Sequence, residues 1–138
     1  MQLIYVSSAT MEMSGSDLLF LLTQSRNRNK RQGVTGMLLY AGGNFFQLLE
    51  GEIRDVEEIY AAIVNDARNK GNIVLLRKHV DDRTFPEWSM AFKHLTARDR
   101  ASVEGYSEFL NRRMAPEEFA TKADRILELL YQFKKGNA

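Results

Sequence analysis

Residues 33–51 read GVTGMLLYAGGNFFQLLEG. Two runs rich in apolar and β-forming residues, Val34–Ala41 and Asn44–Leu49, enclose Gly42-Gly43-Asn44. Adjacent glycines supply the positive φ angles of a tight hairpin, so the stretch predicts two antiparallel strands and a short turn. Upstream, Ser14-Gly15-Ser16-Asp17 sets Ser14 and Asp17 at capping-box spacing. A helix is expected from about Ser16 to Asn29 or Lys30, with Gly33 as its stop. Leu18, Leu22, Ser25 and Asn29 fall on one face of that helix. Ahead of it, Gln2–Ser7 reads as a strand. Downstream, Arg54–Asn69 is expected to be an amphipathic helix with the stripe Val56, Ile59/Tyr60, Ile63 and Ala67, stopped at Lys70-Gly71. Asn72–Val80 and Phe85–Phe92 read as two more strands.

The order β-α-β-β-α-β-β is the split β-α-β, ferredoxin-like pattern with one extra strand. The fold class is therefore α+β, with a five-stranded mixed sheet and two helices on one face. By analogy with that fold, strands one and three are expected to be parallel central neighbours. Residues 96–138 read as a separate helical segment. One helix is expected around Ala101–Arg113 and another from Pro116, striped by Phe119, Ala123, Ile126, Leu127, Leu130 and Phe133. These should cover the opposite sheet face, which would otherwise expose apolar surface. The expected division is a compact unit at 1–95 and a helical tail at 96–138.

Composition narrows the function classes. A chain of 138 residues is the size of one domain, and 44% hydrophobic with 27% charged residues is a globular balance. No apolar run approaches the ~20 residues of a membrane span, and MQLIYVSSAT does not read as a secretory signal. A cytoplasmic location without membrane attachment is expected. With no cysteine there is no disulfide framework, thiol nucleophile or cysteine zinc site. Nineteen Lys+Arg against 18 Asp+Glu leave a net charge of +1, so no direct nucleic-acid binding is expected. Arg26, Arg28, Lys30 and Arg31 nevertheless cluster, where they could meet a phosphate or solubilise a helix end.

Familiar catalytic sets are missing. His79 and His94 are the only histidines, which is too few for a histidine metal cage. The glycines match no phosphate-binding loop. Glu50 and Glu52 flank Gly51 and read as a solvated strand end. Gln47 stands out, because alternation puts it on one face with Phe45 and Leu49 in a strand expected to be central. A buried amide without partners costs roughly 1–3 kcal/mol. Tyr5, on the same face as Leu3 and Ser7, can reach it from the neighbouring strand, and Ser25 and Asn29 face inward from the first helix. Four polar groups thus converge between helices and sheet. They suit a planar ligand with mixed donors and acceptors, or they are satisfied polar residues of an ordinary core.

LIYVSSA (3–9), SRNRNKRQGVTGMLLY (25–40), GGNFFQLLEGE (42–52), DARN (66–69) and RTFPEWSMAF (83–92) together resemble the BLUF family of flavin-binding blue-light sensors. The resemblance covers about residues 1–95 and suggests a short, single-domain member. It implies FAD or FMN as cofactor and a photosensory, non-enzymatic role. Tyr5 matches the tyrosine that gives an electron and a proton to the photoexcited flavin. Gln47 matches the glutamine bonded between that tyrosine and flavin N5/O4, and its altered bond to O4 is the expected outcome of light. Asn29 matches the asparagine holding the pyrimidine edge, and Ser25 a helix residue near the ring. Asp66 and Arg68 match polar positions near the ribityl-phosphate tail. Trp88 and Met90 match the pair on the last strand and share a face with Phe92. Asn69 and Arg28 depart from the family pattern, which often has histidine and a second amide there. Output is expected through an unknown downstream protein partner or a homo-oligomer. The other classes considered are a ferredoxin-like small-ligand or protein-interaction module, an acylphosphatase-type enzyme and an RNA-binding sheet. Ser7-Ser8-Ala9-Thr10 lacks the arginine the enzyme would need, and the exposed aromatic pattern of the RNA binder is absent. Bound flavin would separate the sensor from the interaction module.

Overall fold

The computed structural model describes residues 1–84, 86, 90–95 and 128. Its elements are β1 (Gln2–Ala9), α1 (Gly15–Gln32), β2 (Thr35–Ala41), β3 (Asn44–Glu50), α2 (Ile53–Val64), β4 (Asn69–Lys78) and β5 (Ala91–Leu95). The sheet order is β4-β1-β3-β2-β5. The first four strands form an antiparallel array, and β5 joins its edge parallel to β2. β1 and β3 are adjacent but antiparallel, which corrects the expected parallel pairing. A helix crossover returns β2 in the direction of β1, and the hairpin then reverses β3 between them. The split β-α-β therefore has an antiparallel strand in its gap.

The hairpin turn is Gly42-Gly43, with φ of 59° and 79°, and Ala41 pairs with Asn44 across it. This is the left-handed pair that a two-residue turn matching strand twist requires. Gly36 has a different reason: a Cβ there would lie 1.9 Å from the Leu48 carbonyl oxygen. Only glycine lets β2 approach β3 at that point.

α1 begins with a full capping box. The Asp17 amide donates to Ser14 Oγ at 3.1 Å and the Ser14 amide donates to Asp17 Oδ2 at 3.0 Å. It ends at Gly33, left-handed at φ 65°, while the Val34 amide returns to the Asn29 carbonyl at 2.9 Å. Its buried residues are Leu18, Leu22, Ser25 and Asn29, as the spacing predicts.

α2 stops five residues before the expected Asn69. The Asn69 side-chain amide donates to the Ile63 and Asp66 carbonyls, and the Asn65 side chain to that of Ala61. These side chains satisfy the helix end and turn the chain, so Ala67 lies outside the helix. β4 accordingly starts at Asn69, before the expected Asn72, and Gly71 (φ 66°) sits in a strand irregularity rather than at a helix stop. β5 begins at Ala91, so Pro86 and Met90 precede the strand that was expected to span Phe85–Phe92. Proline has no amide to give a ladder.

α1 and α2 lie on the same sheet face. Leu18, Leu22, Val56, Ile59 and Tyr60 join one core with Leu3, Tyr5, Leu38, Phe45 and Leu49. Each such aliphatic side chain contributes about 1.5–3 kcal/mol by leaving water. The opposite face carries Ile4, Val6, Met37, Leu39, Phe46 and Leu48, all buried. The helices expected within 96–138, with their stripe, lie outside the described residues. No helix among the described residues is long and apolar enough to cross a membrane.

Glu50 is fully buried, which corrects the solvated strand end expected for it. Its Oε2 accepts from the Gln2 side chain at 3.1 Å and from the Thr84 amide at 2.9 Å. Alternation puts Glu50 on the face away from the helices, where these donors replace water. Glu52 is exposed and precedes α2. His79 is exposed beside Asp81, and His94 belongs to β5.

Candidate functional site

Sheet register decides the centre of the site. Tyr5 of β1 stands opposite Gln47 of β3, and Gln47 stands opposite Leu38 of β2. Alternation points all three toward the helices. A cavity of about 410 Å³ lies between this face, α1 and the turn before β4. Leu38, Phe45 and Ile63 are its apolar walls. Tyr5, Gln47 and Ser25, all buried, line it from the sheet and α1, while Asp66, Arg68 and Asn69 line it from the turn and the start of β4.

Tyr5 and Gln47 are both buried, and the Tyr5 hydroxyl donates to Gln47 Oε1. The other end of the amide is used as well: Gln47 Nε2 donates to Met90 Sδ at 3.4 Å. Burial, with the nearby Tyr60 as a smaller cause, holds the Tyr5 phenol well above the usual tyrosine range. The Tyr5 and Tyr60 rings are 5.1 Å apart. Gln47 thus joins a protonated phenol on β1 to a thioether just before β5.

At the other end, Arg68 makes a close ion pair with Asp66, Nη2 to Oδ2 at 2.5 Å, and Arg68 Nη1 donates to Gln24 Oε1 at 2.9 Å. The Arg68 hydrogen bonds hold the Asp66 carboxyl below the usual carboxylate range. Thr10 Oγ1 donates to the Ala67 carbonyl at 2.8 Å, fastening this turn to the end of β1.

The expected site residues Tyr5, Ser25, Gln47, Asp66 and Arg68 all line one cavity. Asn29 is fully buried one turn beyond Ser25 but is not part of the lining. Met90 is buried against the same core, is not part of the lining, and takes the Gln47 amide donor. Trp88 lies outside the described residues.

The basic cluster divides. Arg28 and Arg31 line the cavity, whereas Arg26 turns to the Met90 carbonyl. Arg28 is half-buried, and its Nε is a buried donor with no hydrogen-bond partner among the described residues. Burial lowers its pKa. Arg28 lies three residues after Ser25, a helical spacing that could have pointed it toward the same cavity.

The donor set fits a flavin. Leu21, Leu38, Phe45 and Ile63 give the cavity an apolar wall, an amide and a phenol are fixed on the sheet, and the Arg28 Nε donor has no partner among the described residues. A ring system bearing carbonyl oxygens on an anionic tail meets these requirements. Among the described residues, no group of three or more His, Asp or Glu could hold a metal ion.

The profile of the BLUF family, described as sensors of blue-light using FAD, matches residues 1–91. The chain belongs to the BLUF family. The BLUF relatives include a photoactivated adenylate cyclase subunit beta from Euglena gracilis, 35% identical over 89 residues, which are 64% of this chain and 10% of that protein. The blue light- and temperature-regulated antirepressor BluF of Escherichia coli is 36% identical over 83 residues, covering 60% of this chain and 21% of that protein. The chain thus spans 10% to 21% of the length of these relatives. Among solved BLUF structures, the dark state of BlrB superposes with a TM-score of 0.66 at 30% identity, covering 75% of this chain and 84% of that one. Residues 1–91 are therefore a unit of the flavin-using blue-light sensor family.

Proposed function

We propose that residues 1–95 are a photosensory unit that binds FAD, with Tyr5 and Gln47 as the photoactive pair and signalling to a separate protein or to a second copy of the chain. The observation that carries this reading is the buried chain of contacts from the Tyr5 hydroxyl through the Gln47 amide to Met90 Sδ, set against the cavity. Tyr5, Gln47, Ser25 and Arg28 would hold the ring end, and Asp66 with Arg68 the tail. The family's description, which names FAD, supports FAD as the flavin, with FMN as the other candidate. When bound, the flavin supplies blue-light absorption and an excited state that accepts an electron.

Tyr5 is the donor of that electron. Its hydroxyl proton is already committed to Gln47 Oε1, so it can leave along a formed hydrogen bond. Return of electron and proton restores Tyr5 and leaves no chemical product. Gln47 retains the record as a changed orientation or tautomer. A rotated amide would aim Oε1 at Met90 Sδ, and a thioether has no proton to give. The contact to Met90 is therefore lost when the amide turns, and the start of β5 feels it. In a low-dielectric interior one such bond counts for more than at the surface. The readout then passes to a partner or a change of assembly in the cytoplasm, as a local polar change biasing a larger element.

Gln47→Leu tests the reading. It keeps approximate volume and removes every donor and acceptor at the position. The variant should still bind flavin, and the light-induced red shift of the flavin band should vanish. Dark and illuminated absorption spectra decide it. A parent-like shift in Gln47→Leu would show that Gln47 is only a satisfied core amide.

A further inference from the structure

The geometry points to Arg26 as a positioning residue for the light switch, acting through the backbone of Met90. This rests on the Gln47 switch proposed above and adds a residue that neither lines the cavity nor touches Gln47.

Arg26 follows Ser25 on α1, and its side chain is exposed. Ser25 faces the cavity; Arg26, about 100° round the helix, faces away from it toward the β5 edge. There Arg26 Nε donates to the Met90 carbonyl at 3.0 Å. Met90 is the residue before β5, whose paired register with β2 starts at Ala91 opposite Met37. The Arg26 bond thus extends the anchoring of β5 by one residue. It fixes the peptide plane from which the Met90 side chain departs.

That side chain is 2% exposed, and its sulfur takes the Gln47 Nε2 donor. Methionine is unbranched and has three rotors, so packing alone locates its sulfur loosely. Tying the Met90 backbone to α1 narrows where Sδ can lie. The bond spans 64 residues of sequence and links the helix that walls the cavity to the strand that receives the signal. Arg26 is thus placed to set how readily the Gln47 amide regains its partner in the dark.

The first measurement is dark recovery after blue light in Arg26→Ala. Flavin content and the red shift should match the parent, because Arg26 is no part of the cavity. Recovery should slow about fivefold, the rate equivalent of one net hydrogen bond of about 1 kcal/mol. Arg26→Lys, which keeps a charged donor, should restore most of the rate. In a Met90→Leu background, Arg26→Ala should change nothing further, because the sulfur through which it acts is gone. A second readout needs no flavin: with ¹³C-methyl-labelled methionine, the Met90 resonance of the flavin-free protein should shift or broaden in Arg26→Ala.

Parent-like recovery together with an unmoved Met90 resonance would overturn the inference. Equal slowing by Arg26→Ala with Met90 and with Leu at position 90 would also overturn it, since Arg26 would then act by another route. The two failures can be told apart. A red shift retained in Gln47→Leu removes the switch itself, while the Met90 resonance still reports whether Arg26 places Met90.

Discussion

Burial keeps the Tyr5 hydroxyl protonated, and register points it at Gln47. Its ring also packs 5.1 Å from that of Tyr60. Tyr5→Phe preserves the ring contact and removes the only O–H in the Tyr5–Gln47–Met90 chain. Gln47 Oε1 then loses its donor, a cost of roughly 1–3 kcal/mol if nothing replaces it. The variant should fold with a slightly lower melting temperature, bind flavin, and show no normal spectral shift. Spectra before and after illumination check this, and a parent-like photocycle would remove Tyr5 from the mechanism. Tyr5, Gln47, Ser25 and Asn29 were legible at this scale because periods of 2 and 3.6 dictate which side chains share a face. Arg26 and Arg28 were not. A run of charges reads the same whether its members reach solvent, a cavity or a distant carbonyl, and Met90 arrives 64 residues later in the chain.

Elements were legible where local chemistry closes them. α1 has its capping box and a left-handed Gly33, and the hairpin has two adjacent glycines at positive φ. The apolar spacing runs on to Ala67, past the end of α2, while the stop comes from Asn65 and Asn69 side chains bonding back to carbonyls. Aromatic and apolar residues precede β5 and extend the strand pattern toward Phe85, although ladder pairing with β2 starts at Ala91. The antiparallel β1–β3 pairing is a property of chain direction, and neither strand's own residues encode it.

At β2 the same scale gives a prediction. The Cβ of Gly36→Ala would meet the Leu48 carbonyl oxygen at 1.9 Å, a backbone atom that cannot swing aside. The β2–β3 ladder must open at Gly36–Leu49, two residues from Leu38–Gln47. Overpacking of this kind costs roughly 1–3 kcal/mol or more. The urea midpoint should fall accordingly, and flavin retention should weaken because Leu38 lines the cavity. A midpoint unchanged from the parent would mean the strands are not held this close.

For the whole molecule, the cavity is the seam between its layers. α1 meets the sheet through Leu18 and Leu22 at one end and through Ser25 and Asn29 further along. Between them lies about 410 Å³ lined by Tyr5, Gln47 and Arg28, groups that a dry apolar core would not tolerate without partners. The antiparallel strands have their own ladders and a second buried face, apolar at Val6, Leu39, Phe46 and Leu48. Flavin removal should therefore loosen one seam without unfolding the sheet. A ligand that binds only the native state stabilises it by about 2.7 kcal/mol at a hundredfold excess over Kd. The melting temperature should rise steadily with added flavin. In the flavin-free protein, amide exchange should quicken in residues 21–31 of α1 and in the turn at 65–68, while the central amides of β1 and β3 stay protected. Melts at stepped flavin concentrations and exchange with and without flavin measure both effects. A melting temperature indifferent to flavin, or exchange that quickens evenly across helix and sheet, would mean that the cavity does not join the layers and that the ligand is held elsewhere.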